Sequence, residues 1–391
     1  MAVGRRCGRP PRGRCIAGLA AVLLALAAPL AAAEFEFVGP APTRNFQPIQ
    51  LIFLNLPFES AATLEPGGIA LLLQSAEISE IATTQGAIES TLKFETNRTV
   101  FGVRYGLFEH WEVGMELPFI SRYGGFLDPP IDWVEHLTGR VNPERSLFPE
   151  NSFGGFSVVR GNTVLFQAGE ETFQPGDLVF SVKHQFQTPP AWPSIALRAA
   201  IKAPTGDASQ VLGSGKPDFG SGIAADYRAF DRLMFYFNTD LVYPVGPITD
   251  GDLTLNPMVS ESFAIHLALS RHVSAMLHQA TYTSPFHTGV RLLDGTVVEL
   301  GLGLNFAYNP WFDAQILGIE NMSGVEQSAD FTLLLALVVR PWARPTGLPP
   351  LGEAPRPPVE PATTEPTPPA TPSDEHAAAG EPGRADAPTP P

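Results

Sequence analysis

The stretch Val297–Tyr308 reads VVELGLGLNFAY and alternates between two kinds of side chain. Its even-numbered positions are aliphatic and end in aromatics, whereas after Val297 its odd-numbered positions are small or polar. A side-chain period of two predicts a β-strand with two unlike faces. A soluble sheet would bury the apolar face against a second layer. A transmembrane barrel turns that face toward lipid and keeps the small, polar face in its lumen, and the pattern recurs along the chain.

Residues 1–33 have the pattern of a secretory signal peptide. Arginines precede the apolar run 16–30, and Ala31–Ala33 supplies the small residues of a cleavage site, so we expect the mature chain to begin at Glu34. An uncleaved membrane anchor is the alternative, although the apolar run is short for one. Cys7 and Cys15 both lie in this segment, so the mature chain is expected to have neither disulfides nor cysteine–metal sites.

Loss of the signal removes five arginines and no acid, which leaves 20 basic against 40 acidic residues. Such an acidic balance argues against a nucleic-acid partner. The remaining sequence has no apolar run long enough for a helical membrane span. Strands with alternating polarity are then the elements that could cross a membrane, and outer-membrane lipid is the expected surroundings.

Residues 67–342 predict an all-β fold, a transmembrane antiparallel barrel of about twelve strands. The expected strands are 67–84, 87–108, 111–122, 177–187, 194–204, 217–229, 232–245, 257–270, 273–284, 296–308, 312–321 and 328–341. Short and long connections alternate, as in bacterial barrels with short periplasmic turns. We therefore expect a bacterial outer-membrane protein with its N-terminus and C-terminal tail in the periplasm. A change of parity in the second strand suggests a bulge near Asn97. A soluble β-sandwich or lipocalin-like barrel is the alternative.

Aromatic residues fall near the expected ends of the strands, as in an interfacial girdle. They are Trp111, Trp192, Trp311, Trp342, Tyr227 and Tyr243.

Two segments flank the predicted barrel. Residues 34–66 form a lead-in expected in the periplasm, and the apolar stretch Pro48–Pro57 within it either plugs or caps the barrel mouth. Residues 343–391 hold 15 prolines in 49 residues and no aromatic residue, so this tail is expected to be disordered. It is either without function or a spacer that contacts a periplasmic partner or the cell wall.

Charged residues occupy inward positions of the predicted strands. They are Arg104, Glu112, Glu116, Lys183, Arg198, Lys202, Asp226, Arg228, Asp240 and Glu299. One interpretation is a channel lining that selects polar solutes by charge. The other is a set of ion pairs that fill a narrow lumen, for example between Glu116 and Lys183.

The loop 123–176 is long enough to fold inward. Asp128 followed by two prolines resembles the N-cap and first turn of a helix near 131–137. Asp128, Asp132, Trp133 and His136 are the residues expected to constrict the pore, unless the loop packs over the rim. With Glu135 they also form an acidic cluster suited to calcium, but the EF-hand pattern is missing and a solvated loop is favoured. We assign no metal site and no cofactor.

Three motifs resemble those of an uncharacterised bacterial family, catalogued only as a domain of unknown function and regarded as an outer-membrane barrel. The first is Gly124-Gly125-Phe126-Leu127-Asp128 with Ile131-Asp132-Trp133 and His136. The others are Asn45 to Pro48 with Leu56-Pro57, and Arg104 to Leu107. The resemblance covers about residues 43–342 and implies the barrel fold, but it supplies no activity or catalytic residue.

The favoured function is passive transport or binding of a small polar or amphipathic solute, without enzymatic activity. The first alternative is a structural barrel with a filled lumen and a periplasmic partner for the tail. The second is an outer-leaflet lipid hydrolase at the rim, where Ser284, His287 and Asp294 supply the residue types of a triad. A second serine–histidine pair, His272 and Ser274, falls at the opposite end.

Overall fold

The computed structural model describes residues 37–139, 141–248, 253–309, 311–323 and 328–341. The predicted signal peptide, residues 34–36, Trp342 and the tail lie outside these ranges. The strands are β1 Ile69–Thr84, β2 Glu89–Phe108, β3 Trp111–Tyr123, β4 Gly155–Arg160, β5 Thr163–Ala168, β6 Glu171–Pro175, β7 Leu178–Phe186, β8 Ser194–Ala203, β9 Asp218–Phe230, β10 Leu233–Pro244, β11 Met258–Ala268, β12 Val273–Tyr282, β13 Val297–Asn309, β14 Phe312–Asn321 and β15 Phe331–Val339. The α-helices are α1 Asp128–Thr138 and α2 Arg291–Asp294, and 3-10 turns cover Gln50–Ile52, Pro143–Leu147 and Ala208–Gln210.

Twelve of these strands close into an antiparallel barrel. The sheet runs β1, β2, β3 and then β7 to β15 in order, and β15 pairs with β1 from Leu71↔Val339 to Ser79↔Phe331. Closure leaves the wall without a free edge, so its backbone groups are hydrogen-bonded within the sheet. The predicted fold class and strand number are confirmed.

The outer surface of the barrel is apolar. In β13 the even positions from Leu302 to Tyr308 are exposed, with Leu302 at 64% and Tyr308 at 71%, while Glu299 and Asn305 are buried on the inner face. Exposed aliphatic side chains continue around the wall and are flanked by aromatics, which include the predicted Trp111, Trp192, Trp311, Tyr227 and Tyr243. An apolar band flanked by aromatics is the surface of a transmembrane barrel. None of the helices in the described residues is long and apolar enough to cross a membrane.

Strand β2 corrects one prediction. Its pairing with β1 runs without a register shift from Tyr105 to Ser90, so there is no bulge at Asn97. The change of parity arises because Leu92 and Phe94 are fully buried inward residues. Phe94 stacks on Phe156 of β4, with ring centroids 4.9 Å apart, so an apolar cluster inside the barrel takes the place of lipid.

The connections define two ends of the barrel. Links at 109–110, 187–193, 231–232 and 269–272 are short, and we call this the short-turn end. The loop after β3 lies at the other, long-loop end and contains α1 together with β4, β5 and β6. There β4 extends the wall by pairing with residues 89–93 of β2. The predicted helix in this loop is confirmed, although it begins at Asp128 rather than after it.

Candidate functional site

We call residues 37–66 the lumen segment. It lies inside the barrel up to Leu64, and Glu65 and Pro66 are exposed at its end. From Phe37 to Leu64 the side chains are buried or half-buried. The sequence left open whether this region plugs the barrel, and the structure places it along the barrel interior. Its backbone needs partners there, because a buried, irregular chain cannot satisfy its own polar groups.

The first arm of the lumen segment rises from the short-turn end. The ring of Phe37 lies under the Arg228 guanidinium, 5.6 Å from its centroid. Further along, Gln74 Nε2 donates to the Pro42 carbonyl at 3.1 Å, and Arg44 pairs with Glu116 at 2.9 Å. Wall side chains thus provide both charge and hydrogen bonds to this arm.

The tip of the lumen segment reaches the long-loop end. Gln50 Nε2 donates to Ser284 Oγ at 3.1 Å. Phe53 meets Phe286 edge to face, with ring centroids 5.5 Å apart. Ile49, Ile52 and Leu54 join the same apolar cluster, to which the long loop contributes Phe156, Val158, Leu165 and Phe166. The loops therefore cover the tip with an apolar cap.

The returning arm is held by polar groups of β8 and β9. Lys202 Nζ donates to the Ile52 carbonyl at 2.6 Å, and the Leu54 amide donates to Asp218 at 2.8 Å. Arg198 Nη1 then donates to the Pro57 carbonyl at 2.5 Å. These contacts anchor backbone atoms that a helix or strand would satisfy internally.

The lower part of the returning arm continues to the short-turn end. Asp226 accepts the Ala61 amide at 3.0 Å and the Ser60 hydroxyl. Gln185 accepts the Thr63 amide at 3.1 Å, and Glu112 accepts the Leu64 amide at 3.0 Å. Both arms of the lumen segment therefore end at the short-turn end.

Small inward residues make room for the segment. A Cβ added to Gly220 would lie 2.5 Å from Leu56 Cδ1, and one added to Gly106 would lie 2.0 Å from the Glu65 carbonyl oxygen. Ala61 packs with Ala196 and Ala224 of the wall. Glycine and alanine at these inward positions are the sequence signal that the lumen is occupied rather than open.

The predicted lumen residues all face the interior. Most are engaged by the lumen segment or by one another: Arg198 binds Asp240 bidentately at 2.6 and 2.7 Å, and Lys202 pairs with Asp177 at 2.7 Å. Glu299 accepts the Ser328 hydroxyl at 2.8 Å. The example pair of Glu116 with Lys183 is wrong. Lys183 lies opposite Glu112 in the β3–β7 register and pairs with it at 3.2 Å, while Glu116 pairs with the lumen segment.

The residues predicted to constrict the pore have two environments. Trp133 and His136 are exposed on α1, with Trp133 at 66%, and Asp132 is partly exposed. Asp128 is buried and accepts Lys93 at 2.6 Å and Arg145 at 2.8 Å, so it fixes the loop rather than capping the helix. The constriction role remains a prediction for these residues. The loop residues that contact the tip are instead those of β4 and β5.

The ion-pair cluster around Arg145 has one acid too many. Arg145 pairs with Asp128, Glu135 and Asp330, and Lys93 supplies the second cation. Burial raises the pKa of Asp330 to about 8, and the nearby charge of Arg145 only partly offsets this effect. Protonation of Asp330 near neutral pH therefore leaves two carboxylates facing the two cations of this cluster.

Two histidines from different strands meet in the lumen, a contact that their spacing in the sequence does not predict. His266 Nε2 and His278 Nε2 lie 3.1 Å apart, with ring centroids 5.4 Å apart, so the rings meet edge to edge. One imidazole must donate and the other accept. Among the described residues, no group of three or more candidate ligands could hold a metal ion.

The rim residues proposed for hydrolysis are used by the loop itself. Ser284 donates to the Leu293 carbonyl, and Asp294 accepts the amides of Thr288 and Gly289 at 2.7 and 2.6 Å. His287 is exposed. These contacts give the serine and the acid structural roles. The other pair is also divided, because His272 Nδ1 contacts the Ala307 carbonyl at 3.0 Å and Ser274 faces the lumen.

Comparison with known proteins places the chain within a family. The model described as "Protein of unknown function (DUF3187)" matches residues 17–340. A search of curated proteins gave no significant match.

Three solved structures illustrate the likeness of the barrel. An outer membrane channel from Pseudomonas putida F1 has a TM-score of 0.49 and 11% identity, over 72% of this chain and 97% of its own. The NanC porin has a TM-score of 0.41 and 9% identity, over 70% and 100%. The CymD monoaromatic hydrocarbon channel has a TM-score of 0.34 and 13% identity, over 70% and 89%. At these identities, the structures do not indicate a solute for this chain.

Proposed function

This chain belongs to the family described as protein of unknown function DUF3187, and we propose that it is an outer-membrane channel for small polar solutes, closed by its own lumen segment. The observation that carries the proposal is the polar character of the contact between the arms and the wall. Arg44, Glu59 and Ser60 of the segment pair with Glu116, Lys183 and Asp226 of the wall. Water and counter-ions can replace such contacts when the segment leaves, whereas an apolar core would be left exposed.

The wall is complete without the segment. Pairing of β15 with β1 closes the barrel by backbone hydrogen bonds alone. Withdrawal of the lumen segment would leave a tube lined by the charged inward residues, which suits polar solutes. The closed state then corresponds to the arrangement described above, and transport requires the arms to move.

The segment is placed so that it could withdraw at one end. Phe37 and Leu64 both lie near short-turn residues, namely Arg228 and Glu112. In bacterial barrels short turns face the periplasm. We therefore propose that the segment enters from the periplasm and that the N-terminus and tail lie there. The long loops would then face outward, with 123–176 as a lid over the tip.

A second candidate is a structural barrel whose lumen stays filled. The apolar cap favours it, because Ile49, Ile52 and Phe53 would be costly to expose. In that case the segment is a core rather than a gate. The tail, which lies outside the described residues, would then provide the contact with the cell wall or a periplasmic partner.

Single-channel recording of the folded full-length protein in planar bilayers distinguishes the gated channel from the structural barrel. We expect brief openings of the wild type and more frequent openings of Asp226→Asn, which weakens the anchor of Ser60 and Ala61. Asp207→Asn is the matched control, because the side chain of Asp207 is exposed and accepts hydrogen bonds from Ser209 of its own loop, away from the lumen segment. Silence of all three proteins, with folding confirmed by heat-modifiable mobility, would favour the structural barrel.

A further inference from the structure

The side chain of Glu59 is surrounded by cations from three strands. Its carboxylate lies 3.1 Å from Arg198 Nη1, 3.2 Å from Lys183 Nζ and 3.4 Å from Arg104 Nη1. Arg198, Lys183 and Arg104 come from β8, β7 and β2 respectively. The wall thus assembles a three-cation site from strands that are distant in sequence, and the lumen segment fills it with a carboxylate.

Wall acids also lie close to these cations. Glu112 pairs with Lys183 at 3.2 Å, and Asp240 pairs with Arg198 at 2.6 Å. Glu116 and Asp313 lie near Arg104, although Glu116 pairs with Arg44 of the lumen segment and Asp313 pairs with Arg340. Glu59 contacts all three cations, so its removal takes away the anion that they share.

Space is available on both sides of Glu59. One cavity of about 70 Å³ is lined by Glu59, Arg104 and Lys183, and a second of about 30 Å³ by Glu59, Arg104 and Arg198. Each holds little more than water in the closed state. The volume of the returning arm would be added to them when the segment withdraws.

We propose that Arg104, Lys183 and Arg198 form a carboxylate-binding site of the open channel and that Glu59 occupies this site in the closed channel. The solute class is then a small organic anion that bears a carboxylate. Hydrogen bonds between cationic donors and a carboxylate are strong ones. Arg198 offers Nη1 to this site, because its Nε and Nη2 bind Asp240. The inference rests on the proposed function in one respect, since the solute reaches the site only if the segment moves.

Acetate is the probe, and the unfolding temperature of the full-length protein is the readout. Glu59→Ala vacates the site, and we expect acetate to raise its unfolding temperature by about 2–4 °C over chloride at equal ionic strength. The wild type should not respond, because Glu59 fills the site. Gln50→Ala is the matched control: it removes a side chain of the same length from the same segment, but away from the cations, and should also not respond.

A second change tests the cations themselves. Arg104→Gln in the Glu59→Ala background removes one of the three cations that contact the carboxylate and should abolish the acetate response. If Glu59→Ala does not refold in chloride, the refolding yield replaces the unfolding temperature, and acetate should restore it. An equal response in chloride and acetate, or the same acetate response in Gln50→Ala, would overturn the site.

This readout does not depend on conductance. If the protein conducts but Glu59→Ala shows no response to acetate, the carboxylate site is rejected and the channel function is retained. If Glu59→Ala responds to acetate but the protein never conducts in bilayers, the channel function is rejected and the binding site is retained.

Discussion

Arg44 in the lumen segment and Glu116 in β3 form a buried ion pair, with 2.9 Å between Nη2 and Oε2 and exposed side-chain fractions of 3% and 13%. The wall acid has its cation on the segment, just as the wall cations near Glu59 have an acid there. Segment and wall are therefore complementary in charge as well as in shape. Each removes from the other a charge that would be costly to bury alone.

The first prediction concerns this pair. Arg44→Met should destabilise the folded barrel by about 3–5 kcal/mol, because it removes the cation that is hydrogen-bonded to buried Glu116. The double variant Arg44→Met, Glu116→Met should recover only part of that loss, because Arg98 and Arg104 also lie near Glu116. Urea unfolding of the refolded protein measures both, and Arg271→Met, on an exposed short turn, is the control. A double variant as unstable as the single one would show that the loss comes from packing and not from charge.

The second prediction concerns a glycine that makes room for an ion pair. A Cβ at Gly222 would lie 1.8 Å from Asp240 Oδ1, so Gly222→Ala should displace Asp240 from Arg198. The expected cost is about 1–3 kcal/mol, as for other overpacked interiors. Arg198 also holds the Pro57 carbonyl, so channel openings should become more frequent. Ser221→Ala, on the outer face of the same strand, should change neither the stability nor the openings.

The third prediction is a pH dependence of the long-loop end. The pKa of Asp330 is raised to about 8 by burial, so the folded protein binds this proton more tightly than the unfolded chain does. The free energy of unfolding should therefore fall as the pH rises from about 4 to about 8. Asp330→Asn should lack this part of the dependence. Amide hydrogen exchange in α1 at pH 5 and pH 8 measures this pH dependence. The same change between pH 5 and pH 8 in Asp330→Asn as in the wild type would contradict the prediction.

The fourth prediction concerns the apolar cap. Phe53 is 3% exposed and packs edge to face on Phe286, so Phe53→Ala should cost about 3–5 kcal/mol. Phe126→Ala is the control for the same substitution, because Phe126 is 55% exposed on the loop after β3. Thermal unfolding followed by gel mobility compares the two. Equal losses would mean that the tip is not part of the stable core.

Much of the barrel could be predicted from the sequence, because a membrane wall imposes a strict rule on every strand. The period of two in a strand places Leu302 and Glu299 on opposite faces, and in the structure Leu302 is exposed while Glu299 is buried. The same period of two assigns Leu92 and Phe94 to the wrong face, because it assumes that apolar residues of a barrel strand face lipid. Here they face an apolar cluster inside the barrel, which local sequence cannot reveal.

The partners of the charged residues could not be predicted. Lys183 lies 124 residues from Glu59, and pairing across that distance depends on where the lumen segment runs. The lead-in has no strand period, so its position is set by tertiary contacts such as Leu54 with Asp218. The inward residues Gly220, Ala224 and Ala196 were the available signal, since a wall lined by small side chains leaves room for another chain segment.

A reversible tether between the lumen segment and the wall tests most directly whether the segment gates the barrel. Ala61 packs against Ala224, so cysteines at both positions would tie the segment to the wall. The control joins Ala196 and Ala224, which are cross-strand partners within the wall. The gate predicts that the Ala61–Ala224 pair is silent when oxidised and opens on reduction, while the control opens in both states. Equal conductance of the oxidised and reduced tether would contradict it.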